Sequence, residues 1–284
     1  MSAPVGKSPH TPYRDSRAAF TLVELLVVIA IIALLMSILM PALAGARKQA
    51  KGVICQKNLH EWGLAFQLFA HDNEGYFPAS ISSPEDYWMV GMLPYLGIEK
   101  GKTSKARDLF LCPMAAKSLN PDMCNRCPGT TFSAWGPFDA TGAWWDTRAM
   151  GSYGINEWCS NPPETPDGRY WGFPSEYAWR TPDVRGGGNI PIFADCIYVD
   201  GFPLHVDEPP EYPDQYDGGS ACWAQNAMKI FCIDRHSGDI NGLFSDMSVR
   251  EIGLKELWRL KWSRGFKTDQ TPVWPRWMAK YPEY

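Results

Sequence analysis

Between Leu25 and Ala46 the chain has no charged residue. At about 1.5 Å of helical rise per residue, roughly twenty apolar residues cross a bilayer core. A secretory signal peptide has a shorter apolar stretch, about 7–15 residues, so this run is too long to be one. Other absences narrow the function. No bulk basic field exists: the formal net charge is -4 and the pI about 5.8, which argues against nucleic acid as a partner. No GxSxG or HExxH occurs, and no motif marks a third member of a catalytic triad, so an enzyme is the weakest reading. EF-hand spacing is absent. Arg185-Gly-Gly-Gly188 lacks the strand–GxGxxG–helix setting of a nucleotide site and reads as a flexible turn.

The apolar run does hold one carboxylate, Glu24, close to its start. On insertion scales an acidic group within an apolar span costs roughly 2.5–3.5 kcal/mol, so it asks for a partner charge. The segment Ala19-Phe-Thr-Leu-Val-Glu-Leu-Leu26 resembles the class III leader and cleavage site of type IV prepilins and type II secretion pseudopilins. The resemblance implies that a prepilin peptidase cuts between Ala19 and Phe20 and methylates the new amino terminus. Ala19 departs from the Gly usual before the cut. Glu24 would become the fifth residue, which in that family pairs with the amino terminus of a neighbouring subunit. Pro41 would fall where many pilins carry a helix-loosening proline. Lys7, Arg14 and Arg17 precede the span, against Asp15, while Arg47, Lys48, Lys51 and Lys57 follow it. Charge alone therefore does not orient the helix, and a cytoplasmic leader is implied by the resemblance only.

Beyond Gly45, Leu59, Trp62, Phe66 and Phe69 recur at spacings of three and four, one face of an amphipathic helix. The expected division is a leader over 1–19, a transmembrane helix over 20–46, its amphipathic continuation over 47–73 and a head over 74–284. Asn73, Gly75 and Pro78 end the helix. Strands are expected at Asp108–Cys112, Gly151–Asn156, Ile190–Asp195, Met228–Asp234, Ile240–Ser245 and Val249–Ile252, with a short helix over 87–96 and another over 254–264. Glu251 and Lys255 would pair at i,i+4. Many Gly, Pro and aromatic residues describe a loop-rich, aromatic-packed globule.

All eight cysteines, at 55, 112, 124, 127, 159, 196, 222 and 232, follow the span. An even number in an exported domain reads first as disulfides, with free structural thiols and zinc as the other readings. Zinc would want four soft ligands in paired spacing, and only Cys124-Asn-Arg-Cys127 forms a CxxC.

A second resemblance lies near the end. Arg235-His236, nine residues, then Asp246 resembles the H-x9-DG signature of planctomycete-type pseudopilin-like proteins, with Met247 where the Gly would stand. Phe110-Leu-Cys-Pro113 and Ser152-Tyr-Gly-Ile-Asn156 resemble the same group. A hairpin could bring His236 and Asp246 together as a catalytic or metal pair. The favoured reading is structural, with Asp246 accepting turn N–H groups and His236 packed against it. Asp195, Asp200, Asp207, Glu208, Asp214 and Asp217 either hold Ca²⁺ or form a solvated acidic loop, the second being favoured. Trp144-Trp145 and the other tryptophans either stack sugars or serve core and subunit contacts, the second being favoured for most of them.

These readings converge on an α+β protein in which a long N-terminal helix packs on the antiparallel sheet of a pilin-like head. It is expected in the inner membrane, single-pass, with a periplasmic head, no catalytic residues and no required cofactor. Its partners would be the prepilin peptidase, like subunits and other pseudopilins. The alternative is a membrane-tethered extracytoplasmic binding protein, for polysaccharide for instance, exported by the same leader.

Overall fold

A computed structural model describes residues 21–79, 91–99, 108–119, 128–138, 149–215 and 226–284. The chain divides into two compact units, 1–47 and 48–284. One helix, α1 (Leu22–Asp72), runs through that boundary. It starts two residues later than Phe20 and ends at Asp72, as the amphipathic pattern requires. Helical structure continues past Pro41, although proline removes one backbone hydrogen bond. Every residue from 21 to 51 is exposed. Further along, Cys55, Asn58, Leu59, Trp62, Gly63, Ala65, Phe66 and Ala70 form a buried stripe. Phe69 is partly buried and packs edge-on against Tyr95, so the expected apolar face is the one that is covered. Gly75, at φ 84°, donates its N–H to Ala70 O and ends the helix with a left-handed residue.

Among the described residues nine strands follow in chain order: β1 (Trp135–Phe138), β2 (Ala149–Gly151), β3 (Tyr153–Asn156), β4 (Arg169–Tyr170), β5 (Phe173–Pro174), β6 (Pro191–Asp195), β7 (Asp200–Gly201), β8 (Asp239–Phe244) and β9 (Val249–Gly253). The main sheet has the order β7-β3-β6-β8-β9. Its pairs are antiparallel except the short parallel β3–β7 edge, so the sheet is mixed. β3 and β6 carry buried residues at every position, the mark of central strands covered on both faces. Trp62 of α1 lies 5.4 Å from Phe193 of β6 and 5.3 Å from Phe110, and its indole N–H donates to Leu109 O. Leu243 of β8 fills the space left by Gly63: a Cβ there would come within 2.8 Å of its Cδ1.

Several local expectations change. Met228–Phe231 is a helical turn, not a strand, because Asp207 Oδ2 accepts the Met228 N–H and caps it. Residues 108–110 form a 3₁₀ turn that presents its carbonyls to Asn58 and Trp62, so no strand forms there. The expected helix over 254–264 shrinks to a 3₁₀ turn, Glu256–Arg259, since β9 continues to Gly253 and Trp258 and Trp262 each turn into the core. Lys255 consequently pairs with Glu283, and Arg250 with Glu256, rather than Lys255 with Glu251. Of the helix expected over 87–96, residues 87–90 lie outside the described residues, 91–92 are helical and Leu93–Leu96 is 3₁₀.

Candidate functional site

Two regions carry functional features. The first is the exposed half of α1. Leu22, Val23, Leu26, Ile29, Ile32, Leu35, Leu39 and Leu43 are all exposed, giving an apolar surface around the helix. Among the described residues this is the one helix long and apolar enough to cross a membrane. Thr21 and Glu24 form a reciprocal capping box at its start. Thr21 N and Oγ1 both donate to Glu24 Oε2 at 2.8 Å, and Glu24 N donates to Thr21 Oγ1 at 3.2 Å. Glu24 therefore makes local hydrogen bonds besides any charge pairing, and the Thr-x-x-Glu spacing that produces them is legible in the sequence. These donors are uncharged, so they do not neutralise the carboxylate. Ala19 and Phe20 lie outside the described residues.

The second region is a buried polar cluster. His236 and Asp246 do not meet. Asp246 is exposed and accepts from Ser248 N at 3.0 Å and Ser248 Oγ at 2.6 Å, so it closes the β8–β9 turn on itself. The Gly187-Gly188 backbone presses against it: a Cβ on Gly188 would fall 2.8 Å from Asp246 Oδ2. Met247 takes φ 64° without the freedom of glycine.

His236 instead faces Asp195, at the end of β6. Its Nε2 lies 3.1 Å from Asp195 Oδ2 and 3.4 Å from Cys112 Sγ. Cys55, from α1, places its Sγ 3.4 Å from Asp195 Oδ2 and 3.6 Å from Oδ1. Tyr153 OH donates to Cys55 Sγ at 3.4 Å. The four donor atoms of Cys55, Cys112, Asp195 and His236 lie within 4.8 Å of one another. Cys55, Cys112 and Asp195 are fully buried.

Arg235 organises the surroundings. Its guanidinium donates to Asp195 Oδ1 at 2.9 Å, and to the carbonyls of Thr130, Thr131, Ser152 and Cys196. Burial alone would raise the Asp195 carboxyl, but the Arg235 charge and the His236 hydrogen bond hold it at about 2. Burial resists charging of His236, yet its bonds to Asp195 and Cys112 lift it to about 10. Burial also pushes the Cys112 thiol up, but hydrogen bonds from Cys55 and His236 bring it down to about 7. Cys55, by contrast, is held well above the usual thiol range by burial. The cluster thus concentrates negative charge on Asp195 and Cys112, opposite Arg235 and His236.

Cys55, Cys112, Cys159, Cys196 and Cys232 are all free and buried. The expectation that most cysteines are disulfide-bonded fails for these five: Cys55 and Cys112 meet in the cluster as free thiols, and Cys159, Cys196 and Cys232 are buried unbridged. Cys124, Cys127 and Cys222 lie outside the described residues. The proposed acidic loop also separates into distinct roles. Asp195 belongs to the cluster, Asp207 caps the 228–231 turn, and Asp214 Oδ1 accepts from Thr131 N and Oγ1. Asp217 and Trp144-Trp145 lie outside the described residues.

Sequence similarity bears on the first region only. The prokaryotic N-terminal methylation motif matches residues 14–40. The type IV wide pilus major component PilA4 of Thermus thermophilus is 42% identical to the N-terminal part of the chain over 57 residues. That covers 20% of this chain and 44% of PilA4, so the match spans less than half the length of the curated relative. No solved structure matches the chain. The chain carries a prepilin-type N-terminal methylation motif followed by an apolar helix, and this fits a membrane-anchored protein with an extracytoplasmic head.

Proposed function

We propose that the chain is a pilin-like filament subunit of a type II secretion-like system, a pseudopilin, and that its role is structural rather than catalytic. The observation that carries this reading is the exposed apolar half of α1, headed by Glu24 inside a prepilin-type motif. In lipid this surface is solvated by acyl chains; in a filament it would be solvated by the same surface of neighbouring copies. A prepilin peptidase would cleave between Ala19 and Phe20 and methylate Phe20 in the inner membrane. The freed amino group of one subunit would then neutralise Glu24 of the next, since two charges costly in lipid offset each other only when the subunits stack in register. The head, over 74–284, would remain periplasmic.

Glu24→Gln separates this role from helix capping. Gln at the third helical position still completes a capping box with Thr21, but carries no charge. The variant should insert and fold as wild type and lose inter-subunit crosslinks through α1. Mass spectrometry of the membrane fraction should show mature chains starting at a methylated Phe20. Wild-type crosslinking by Glu24→Gln would instead favour a tethered binding protein that needs the helix only as an anchor.

A further inference from the structure

We propose that Cys55, Cys112, Asp195 and His236 form a closed structural zinc site in the head. The proposal does not rest on the filament reading. Tetrahedral zinc with sulfur near 2.3 Å and nitrogen or oxygen near 2.0–2.2 Å requires its donors to stand about 3.4–3.8 Å apart. The sulfur–nitrogen separation from Cys112 to His236 and the sulfur–oxygen separation from Cys55 to Asp195 Oδ2, each 3.4 Å, meet this requirement, while His236 Nε2, 3.1 Å from that same oxygen, would move outward by about 0.3 Å to admit the ion. All four donors converge within 4.8 Å. They arrive from four places in the chain: α1, the loop after the 108–110 turn, the end of β6 and the approach to β8.

Hydrogen bonding alone explains this arrangement poorly. His236 Nε2 carries at most one hydrogen, yet it faces both the Asp195 carboxylate and the Cys112 sulfur. A single ion at the centre satisfies all four atoms at once. The surroundings have the form of a metal site's outer shell. Arg235 holds Asp195 Oδ1, the Asn241 N–H reaches Oδ2 at 2.9 Å, and Tyr153 OH supports Cys55 Sγ. With His236 a neutral imidazole ligand, the charges close as well: two thiolates and one carboxylate carry three negative charges, Arg235 and a divalent ion three positive. The two sulfurs select zinc over calcium, which takes oxygen ligands. Full burial of three ligands leaves no open position for substrate, so the metal is structural. Three sequence patches meet here: Cys112 from Phe110–Pro113, Tyr153 from Ser152–Asn156, and Arg235-His236.

The test uses the full-length protein in detergent. Elemental analysis should find one zinc per chain. Cys112→Ser and His236→Ala should each lose most of it, whereas Cys159→Ser, which removes a buried thiol outside the cluster, should retain it. Glu24→Gln should carry as much zinc as wild type, so failure of assembly and failure of metal binding are read separately. Should the ligand variants not fold, cobalt exchanged into the wild-type protein decides the question. It should give thiolate-to-cobalt charge-transfer absorption and the intense visible bands of tetrahedral coordination. Metal-free wild-type protein with no thiolate–cobalt absorption, or a Cys55–Cys112 disulfide in peptide maps, would overturn the proposal.

Discussion

Arg235 shows how far a single buried charge can organise a fold. Its five hydrogen bonds join Asp195 to the carbonyls of four other residues. Removing one partner of a buried ion pair costs about 3–5 kcal/mol, chiefly because the other charge is stranded. Arg235→Met should therefore lower unfolding stability by about that much in denaturant titration. The double variant with Asp195→Asn should lose clearly less than the sum of the two singles. Asp207 makes a different prediction. It accepts N–H bonds from Leu204 and Met228, each at 3.0 Å, but burial still raises its pKa to about 6. In the unfolded chain an Asp titrates near 3.9. The folded state thus prefers the protonated form, so this stabilising term is complete below about pH 4 and is lost as pH rises through about 6. The span corresponds to about 2–3 kcal/mol. Asp207→Asn should flatten that part of the profile, which urea midpoints between pH 4 and pH 7 would show. A difference between the two proteins that stays constant with pH would refute the assignment.

At the scale of elements, what the sequence discloses depends on how local its causes are. Helix α1 was legible because apolar spacing and the stop signals after Asp72 act within a few residues. The central strands near 151–156, 190–195 and 239–253 were legible for the same reason. Met228–Phe231 was misread because its cap, Asp207, lies 21 residues away. The helix expected after Gly253 failed because Trp258 and Trp262 have separate buried acceptors to reach, Asp207 O and Leu257 O. The His236–Asp246 pairing failed because motif spacing cannot reveal that Asp195, on another strand, is the nearer carboxylate. Cys55 belongs to no motif, and only the fold joins it to Cys112. The amphipathic stripe of α1 gives a direct test. Trp62 is fully buried, rests on Phe110 and Phe193, and donates to Leu109 O. Trp62→Ala should cost about 3–5 kcal/mol in equilibrium unfolding, whereas Leu64→Ala, on the exposed side of the same turn, should cost less than about 1 kcal/mol. Equal losses would mean that the buried face has been assigned to the wrong side.

At the scale of the whole molecule, the head's cohesion comes from apolar and polar packing in the core, not from bridges among Cys55, Cys112, Cys159, Cys196 and Cys232. Denatured, non-reduced protein treated with a chelator should react with alkylating reagent at these five cysteines. Peptide maps of the non-reduced protein should show each of the five in a linear peptide; a cross-linked peptide containing any of them would refute this.

Gln56, in the first element, donates to Asn241 in β8 at 2.9 Å, a link across 185 positions of the chain. Cys55 beside it rests on Asp195, 140 positions away. This couples structure to the order of synthesis and export. Helix α1 emerges well before the strands that cover its buried face. Until β8 is delivered, Gln56 lacks Asn241 and the helix face at Gly63 lacks Leu243 to close against, so the head is completed late. Contacts of such long sequence separation slow folding. The interval before closure is then the period in which the exposed helix face meets other surfaces. A chain that stops short of β8 should consequently be a target for proteolysis, with the helix intact and the head never closed.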